Sequence, residues 1–238
     1  MLCLLEYIFI DKVIINLLNL LFPDICLACG TFLSDNELHV CTFCRNELPV
    51  TNFHQDKDNT VAKRLYGRVD FVNATSLFWF AKKSIVQRLL HNLKYRGHEE
   101  IGTMLGKWLG AELIEHEAYK DIDVVIPVPL HRSRLRQRGY NQVDAFGREI
   151  ANILGSEYSS TTLVKTKSTV SQVFKDRIKR LLTHEADFSV TEFETLKGKH
   201  ILLVDDIITT GATIEACANE LMKIEGVRIS IATMAITE

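Results

Sequence analysis

Hydrophobic positions along the chain follow two periods. Residues 201–204, Ile-Leu-Leu-Val, are four apolar residues in a row, the pattern of a strand buried on both faces. Residues 124–126, Val-Val-Ile, repeat it and run into Pro127-Val128-Pro129, where two prolines stop the strand and fix the backbone. Residues 69–81 are rich in β-branched and aromatic side chains and predict one strand or a hairpin; residues 227–236 predict a late strand. Helical spacing takes over elsewhere. Ile85, Val86, Leu89, Leu90 and Leu93 define a helix over 84–94, with Gly97 placed as its C′ residue. A second helix is expected over 100–115. Ile214, Ala218, Leu221 and Met222 mark a third. Residues 52–63 are polar and read as a linker. Strands alternating with helices predict an α/β domain with a mainly parallel sheet, residues 200–206 forming a central strand.

The first 22 residues are apolar, but Glu6, Asp11, Lys12, Asn16 and Asn19 interrupt them, so no membrane span is expected. Neither a basic leader nor a small-residue cleavage site suggests a signal peptide. Ile10, Val13, Ile14, Leu17, Leu18 and Leu21 share one helical face. That face suits docking on the protein's own core; a membrane-surface or partner-binding role is the alternative. Residues 1–55 hold only two basic side chains, Lys12 and Arg45, against six acidic ones, which disfavours an anionic membrane.

Four of the six cysteines cluster as Cys26-x2-Cys29 and Cys41-x2-Cys44. Two such turns aim four thiolates at one ion, which suits structural Zn²⁺ and leaves no open coordination position. An iron–sulfur cluster uses the same ligands, and spacing does not separate the two. Disulfides do not suit a chain without an export signal. Cys3 and Cys217 read as unpaired thiols. The expected division is an N-terminal helix and four-cysteine, zinc-ribbon-like module over 1–55, then an α/β domain over 56–238.

Candidate chemistry concentrates where strands end. After residues 201–204 come Asp205, Asp206, Ile207, Ile208, Thr209, Thr210, Gly211, Ala212 and Thr213. A helix starting there offers free backbone N–H groups and the positive end of its dipole, a site for phosphate. The threonine hydroxyls add donors, Gly211 lets the backbone approach an anion, and the two acids stand where they could meet sugar hydroxyls or a metal ion. After Pro129 and Leu130, residues 131–142 carry Arg132, Arg134, Arg136 and Arg138 and no acid. Arginine's planar fork suits phosphate oxygens, and a helix starting near Asn141 would add a second anion site. A third basic stretch holds Lys165, Lys167, Lys175, Arg177, Lys179 and Arg180, with Asp176 the one acid between Lys165 and Arg180.

Residues 201–213 resemble the phosphoribosyl pyrophosphate signature of type I phosphoribosyltransferases. The resemblance widens with Leu17 to Gly30, both cysteine pairs, Leu93-Lys94-Tyr95-x-Gly97, Pro127-Val128-Pro129-Leu130 and Arg138-Gly139-Tyr140-Asn141-Gln142, in that order. Together they are similar to the ComF family, bacterial proteins associated with DNA uptake in natural transformation. The resemblance implies a zinc-bearing module on a type I phosphoribosyltransferase domain, and cytoplasmic location. It implies phosphoribosyl pyrophosphate and Mg²⁺ as ligands, with contact to incoming single-stranded DNA and the uptake machinery. It assigns Asp205, Asp206, Thr209, Thr210, Gly211, Ala212 and Thr213 to the ribose 5-phosphate, and Pro129, Leu130, Arg132 and Arg134 to the pyrophosphate loop. Residues 166–188 take the place of the mobile catalytic loop; Gln172 and Arg180 match it, while Thr183-His184 replaces the usual Asn-Val pair. The domain also resembles that of glutamine amidophosphoribosyltransferase, but the chain begins Met1-Leu2-Cys3 and holds no glutaminase-sized domain.

Two functions fit these residues. One is transfer of a phosphoribosyl group, possible in nucleotide-related metabolism, with pyrophosphate as the leaving group and no general base identified. The other is a non-catalytic competence factor that binds phosphoribosyl pyrophosphate and single-stranded DNA, with Tyr95, Tyr140 and Phe174 available for stacking on bases.

Overall fold

The computed structural model describes residues 23–166 and 188–238. The apolar stripe of residues 1–22 and the basic stretch with Lys167, Gln172, Phe174 and Arg180 lie outside the described residues. The chain divides into two compact units, Met1–Leu48 and Pro49–Glu238.

Among its described residues the first unit has an isolated antiparallel bridge, Ile25 to Phe32, and a short helix α1 (Thr42–Asn46). Among the described residues, Cys26, Ala28, Val40, Cys41, Cys44 and Leu48 are its buried apolar side chains, and a metal ion held by the cysteines would add folding free energy to them.

In the second unit, α2 (Thr60–Leu65) precedes β1 (Ala74–Phe80), α3 (Ile85–Tyr95) and α4 (Glu100–Ile114). Then come β2 (Val124–Pro127), α5 (Arg132–Arg138), α6 (Asp144–Leu154), β3 (Glu157–Tyr158), β4 (Leu163–Lys165) and β5 (Phe188–Val190). The chain closes with α7 (Phe193–Leu196), β6 (His200–Ile208), α8 (Ala212–Leu221) and β7 (Arg228–Thr237). Five strands form a parallel sheet in the order β1-β7-β6-β2-β3, and β4 pairs with β5 as an antiparallel hairpin. The central strand is β6, as its unbroken apolar run requires: residues 201–204 are fully buried.

Side chains alternate along β6. Ile201 and Leu203 join a core with Val61 and Leu65 of α2 and with Ile214, Cys217, Ala218 and Leu221 of α8. Val204 turns the other way, towards Gly147 of α6. On that second face α4 lies against α6 through Gly102, Gly106 and Gly110. A β-carbon on Gly106 would sit 2.5 Å from the Phe146 carbonyl oxygen and 2.9 Å from the Glu149 Cβ. Only hydrogen at that position lets the two backbones approach this closely.

Some elements differ from expectation. Residues 52–63 are not a linker but a 3-10 turn (Phe53–Gln55) and the start of α2. Asn59 caps α2 through Oδ1, accepting from Ala62 N at 3.0 Å. Its Nδ2 donates to the carbonyls of Phe53, Asp56 and Ala74, so the polar stretch folds on buried side-chain hydrogen bonds. Residues 49–55, grouped on composition with the N-terminal part, sit in the second unit. Thr51 N donates to Leu77 O and Trp79 N to Pro49 O, placing this segment along β1. Residues 69–81 give one strand, and residues 132–138 give a helix rather than a loop.

Candidate functional site

In a parallel sheet all strands point their C-terminal ends the same way, so β2 and β6 deliver their following turns to one edge. Pro127 is paired with Val204, which places Pro129 and Leu130 beside Asp205 and Asp206. The 209–213 turn continues from there into α8. Gly211 caps that helix at φ 80°, a left-handed conformation that glycine adopts freely. Thr209, Thr210, Ala212 and Thr213 are exposed.

Two arginines that the sequence reading passed over fix this turn. Arg64 Nη1 donates to Thr209 O at 2.8 Å, and Arg68 Nη1 to Thr210 O; Arg68 also pairs with Glu215 on α8. In a trans peptide the N–H points away from its own unit's carbonyl. With both carbonyls pinned on the arginine side, the N–H groups of Thr210 and Gly211 face away from it. That orientation, at the start of a ten-residue helix, suits an anion.

Both acids lie within β6, which runs on to Ile208, and not beyond its end. As neighbours on a strand they face opposite sides of the sheet. Asp206 is buried on the α3–α6 side, where Lys94 Nζ meets Oδ1 at 2.8 Å and Gln142 Nε2 donates to Oδ2. Asp205 faces the α8 side, where its charge acts on the buried Cys217 thiol. Burial, together with the Asp206 charge, pushes the Asp205 carboxyl up to about 8, opposed by the amide of Asp206 at 2.8 Å and by the charges of Lys94 and Lys165. Motif residues far apart in the chain therefore converge: Lys94, Gln142 and Asp206 form one hydrogen-bonded row. The acids do not form a chelating pair. Asp206 has both oxygens engaged by nitrogen donors, and Asp205 accepts an amide, so this donor set does not fit a protein-held Mg²⁺, which demands open oxygen ligands in octahedral array.

Arg132 and Arg134 part company on α5. Arg132 lines a cavity of about 700 Å³ with Pro129, Leu130, Asn141, Ser160 and Lys165. Arg134 lines another of about 360 Å³ with Lys94, Tyr95, Arg138 and Tyr140. The second is walled by cations and rings: Arg138 lies 5.1 Å over the Tyr95 ring and donates to Gln142 Oε1 at 2.7 Å, while the Tyr140 hydroxyl donates to Leu93 O. Arg136 lines neither cavity. The anion site expected near Asn141 is not formed. The helix starts at Asp144, whose own carboxylate occupies its first turn and accepts from Tyr158 at 2.8 Å.

In the first unit, the sulfurs of Cys26, Cys29, Cys41 and Cys44 all lie within 4.8 Å of one another, Cys29 and Cys41 at 3.8 Å. Tetrahedral Zn–S bonds of about 2.3 Å separate sulfurs by about 3.8 Å, so the set fits one ion. A multi-iron cluster would hold the sulfurs further apart. Amide groups of Cys41 and Cys44 point at the sulfurs of Cys26 and Cys41 and would temper thiolate charge. Hydrogen bonding from Thr31 already lowers the Cys29 thiol to about 6.

One constellation looks catalytic and is not. Ser230 Oγ, His200 Nε2 and His200 Nδ1 to Asp121 Oδ1 line up at 2.9 Å each. Ser230 and His200 are fully buried, and they sit at the starts of β6 and β7, the sheet's opposite end, so the hydroxyl can meet no substrate.

Residues 145–236 match the phosphoribosyl transferase domain family. The chain is 25% identical over 221 residues to DNA utilization protein YhgH of Escherichia coli O157:H7, covering 84% of this chain and 92% of that protein. It is 27% identical over 209 residues to Competence protein ComFC of Bacillus subtilis (strain 168), covering 87% and 82%. Over 105 residues it is 31% identical to Competence protein F of Haemophilus influenzae, covering 43% and 45%. The parallel five-stranded sheet with its flanking helices is the type I phosphoribosyltransferase fold. With the four clustered cysteines ahead of it, the chain is similar over most of its length to competence and DNA-utilization proteins of the ComF type.

Proposed function

We propose that the chain binds phosphoribosyl pyrophosphate and acts in the uptake or handling of DNA in the cytoplasm, with one structural Zn²⁺ on Cys26, Cys29, Cys41 and Cys44. The carrying observation is the turn at 209–213, where Arg64 and Arg68 pin the Thr209 and Thr210 carbonyls and so turn the Thr210 and Gly211 amides the other way, with Thr209 and Thr213 exposed at a helix start. The 5-phosphate sits there, Asp205 meets the ribose hydroxyls, and Pro129, Leu130 and Arg132 receive the pyrophosphate. Mg²⁺ accompanies the ligand's diphosphate, neutralising its charge. If the site transfers the phosphoribosyl group, the arginine and lysine groups of the two cavities stabilise charge on departing pyrophosphate. A role in DNA uptake rests on the names of the relatives. A pyrophosphate-release assay across candidate nucleophiles tests transfer: release above the buffer rate with any acceptor supports it, and release with none, despite binding, leaves the binding reading standing.

A second reading has its own observation. The cavity of Lys94, Tyr95, Arg134, Arg138 and Tyr140 joins cations to rings, and Tyr95 is 65% exposed. That combination suits single-stranded nucleic acid, with bases stacking on the rings and phosphates meeting arginines. Both readings coexist in one protein when the small ligand takes the turn and the strand takes this cavity.

A further inference from the structure

We propose that Lys94 is the fixed cation of the phosphoribosyl pyrophosphate site, carried by Asp206 and standing where a protein-held divalent ion would otherwise be needed. This rests on the reading of that site given above.

Asp206 is only 8% exposed at its side chain, and its two oxygens are taken by Lys94 at 2.8 Å and by Gln142. Each oxygen already accepts from a nitrogen donor, and burial closes off most of the acceptor positions that remain. The carboxylate is suited instead to hold an ammonium. Lys94 sits at the last turn of α3, and its contact with Asp206 places the ammonium beside the ends of β2 and β6, from which Pro129 and Leu130 follow. An ammonium has three donors, and one carboxylate oxygen consumes one of them. The others are available to an organic diphosphate. Asp205, on the opposite face of β6, cannot replace Asp206 as a second metal ligand from the same side. The site thus carries its positive charge covalently.

The decisive experiments use the zinc-loaded full-length chain. First, water-proton relaxation with Mn²⁺, without other ligand, asks whether the acids hold a divalent ion. The native protein should take up none there at up to about millimolar Mn²⁺. Lys94→Gln frees Asp206 and should gain a site, and Lys94→Gln/Asp206→Asn should lose it again. Second, phosphoribosyl pyrophosphate is titrated with and without Mg²⁺. Lys94→Gln should lose about tenfold more affinity than native when Mg²⁺ is withheld. Native protein that binds Mn²⁺ in a manner abolished by Asp206→Asn overturns the proposal without any lysine variant being needed. Equal dependence on Mg²⁺ in native and Lys94→Gln also overturns it. Failure of native protein to bind phosphoribosyl pyrophosphate under any condition overturns the ligand reading itself and this proposal with it.

Discussion

Arg132 and Arg134, two residues apart on α5, open onto different cavities: Arg132 onto the one with Pro129 and Lys165, Arg134 onto the one with Lys94 and Tyr95. An arginine-rich run that looks uniform in sequence is thereby divided into two jobs. Arg132→Ala should weaken phosphoribosyl pyrophosphate binding and leave the salt dependence of single-strand binding unchanged. Arg134→Ala should flatten that log–log slope by about 0.7, the share of one phosphate contact. Titrations across a salt series check both. The same loss of both ligands in each variant would mean one shared site.

The turn at 209–213 depends on α2. Removing the guanidinium that holds Thr209 O, by Arg64→Ala, should loosen the outward amides and cost about tenfold in phosphoribosyl pyrophosphate affinity. Thermal unfolding should move little, because a half-exposed side chain is lost and no core contact is. A variant with full affinity would show that the turn holds its shape without this anchor.

For the cysteine centre, one Zn²⁺ per chain is expected by elemental analysis, and Cys44→Ser should bring it close to zero. Cys44 is buried among the other three sulfurs, and a fourth ligand from solvent cannot reach that position. Less than half an equivalent of zinc in native protein, without iron, would count against the centre.

How much of this was legible in the chain depends on distance along it. The strand at 201–204 and the paired cysteines announced themselves, because burial on two faces and metal ligation each demand a local pattern. The helix at Ile85–Tyr95 did too, and Gly97 follows its Arg96 C-cap with the positive φ expected of a C′ residue. The stretch at 52–63 did not, since Asn59 works through carbonyls as distant as Ala74. Nor did the meeting of Lys94 with Asp206, separated by 112 positions, or the roles of Arg64 and Arg68, whose acceptors are backbone carbonyls that no residue type marks. The acids were read as a pair because they are adjacent; alternation along β6 sets them on opposite faces.

Stability should respond to acid through His200. Burial lowers its pKa below 6.5, against the opposing pull of Asp121 and Asp123, with Arg228 adding to the lowering. Between its folded value and 6.5 the unfolded chain binds a proton that the folded chain does not, so stability is full above 6.5 and falls as pH drops below it. His54, lowered by burial and by His116, adds in the same direction. Denaturation midpoints at pH 7.5 and 5.5 should therefore differ, and His200→Asn should narrow the gap. An unchanged gap would assign the acid loss to other groups.

The central claim is that this site takes phosphoribosyl pyrophosphate, and calorimetric titration tests it most directly. Zinc-loaded native protein should bind the ligand in the presence of Mg²⁺ at one site per chain. Asp205→Asn/Asp206→Asn, with its circular dichroism unchanged, should bind at least about tenfold more weakly, having lost both the ribose contact and the carboxylate that holds Lys94. Absence of binding by native protein, or equal affinity in native and variant, would contradict the account.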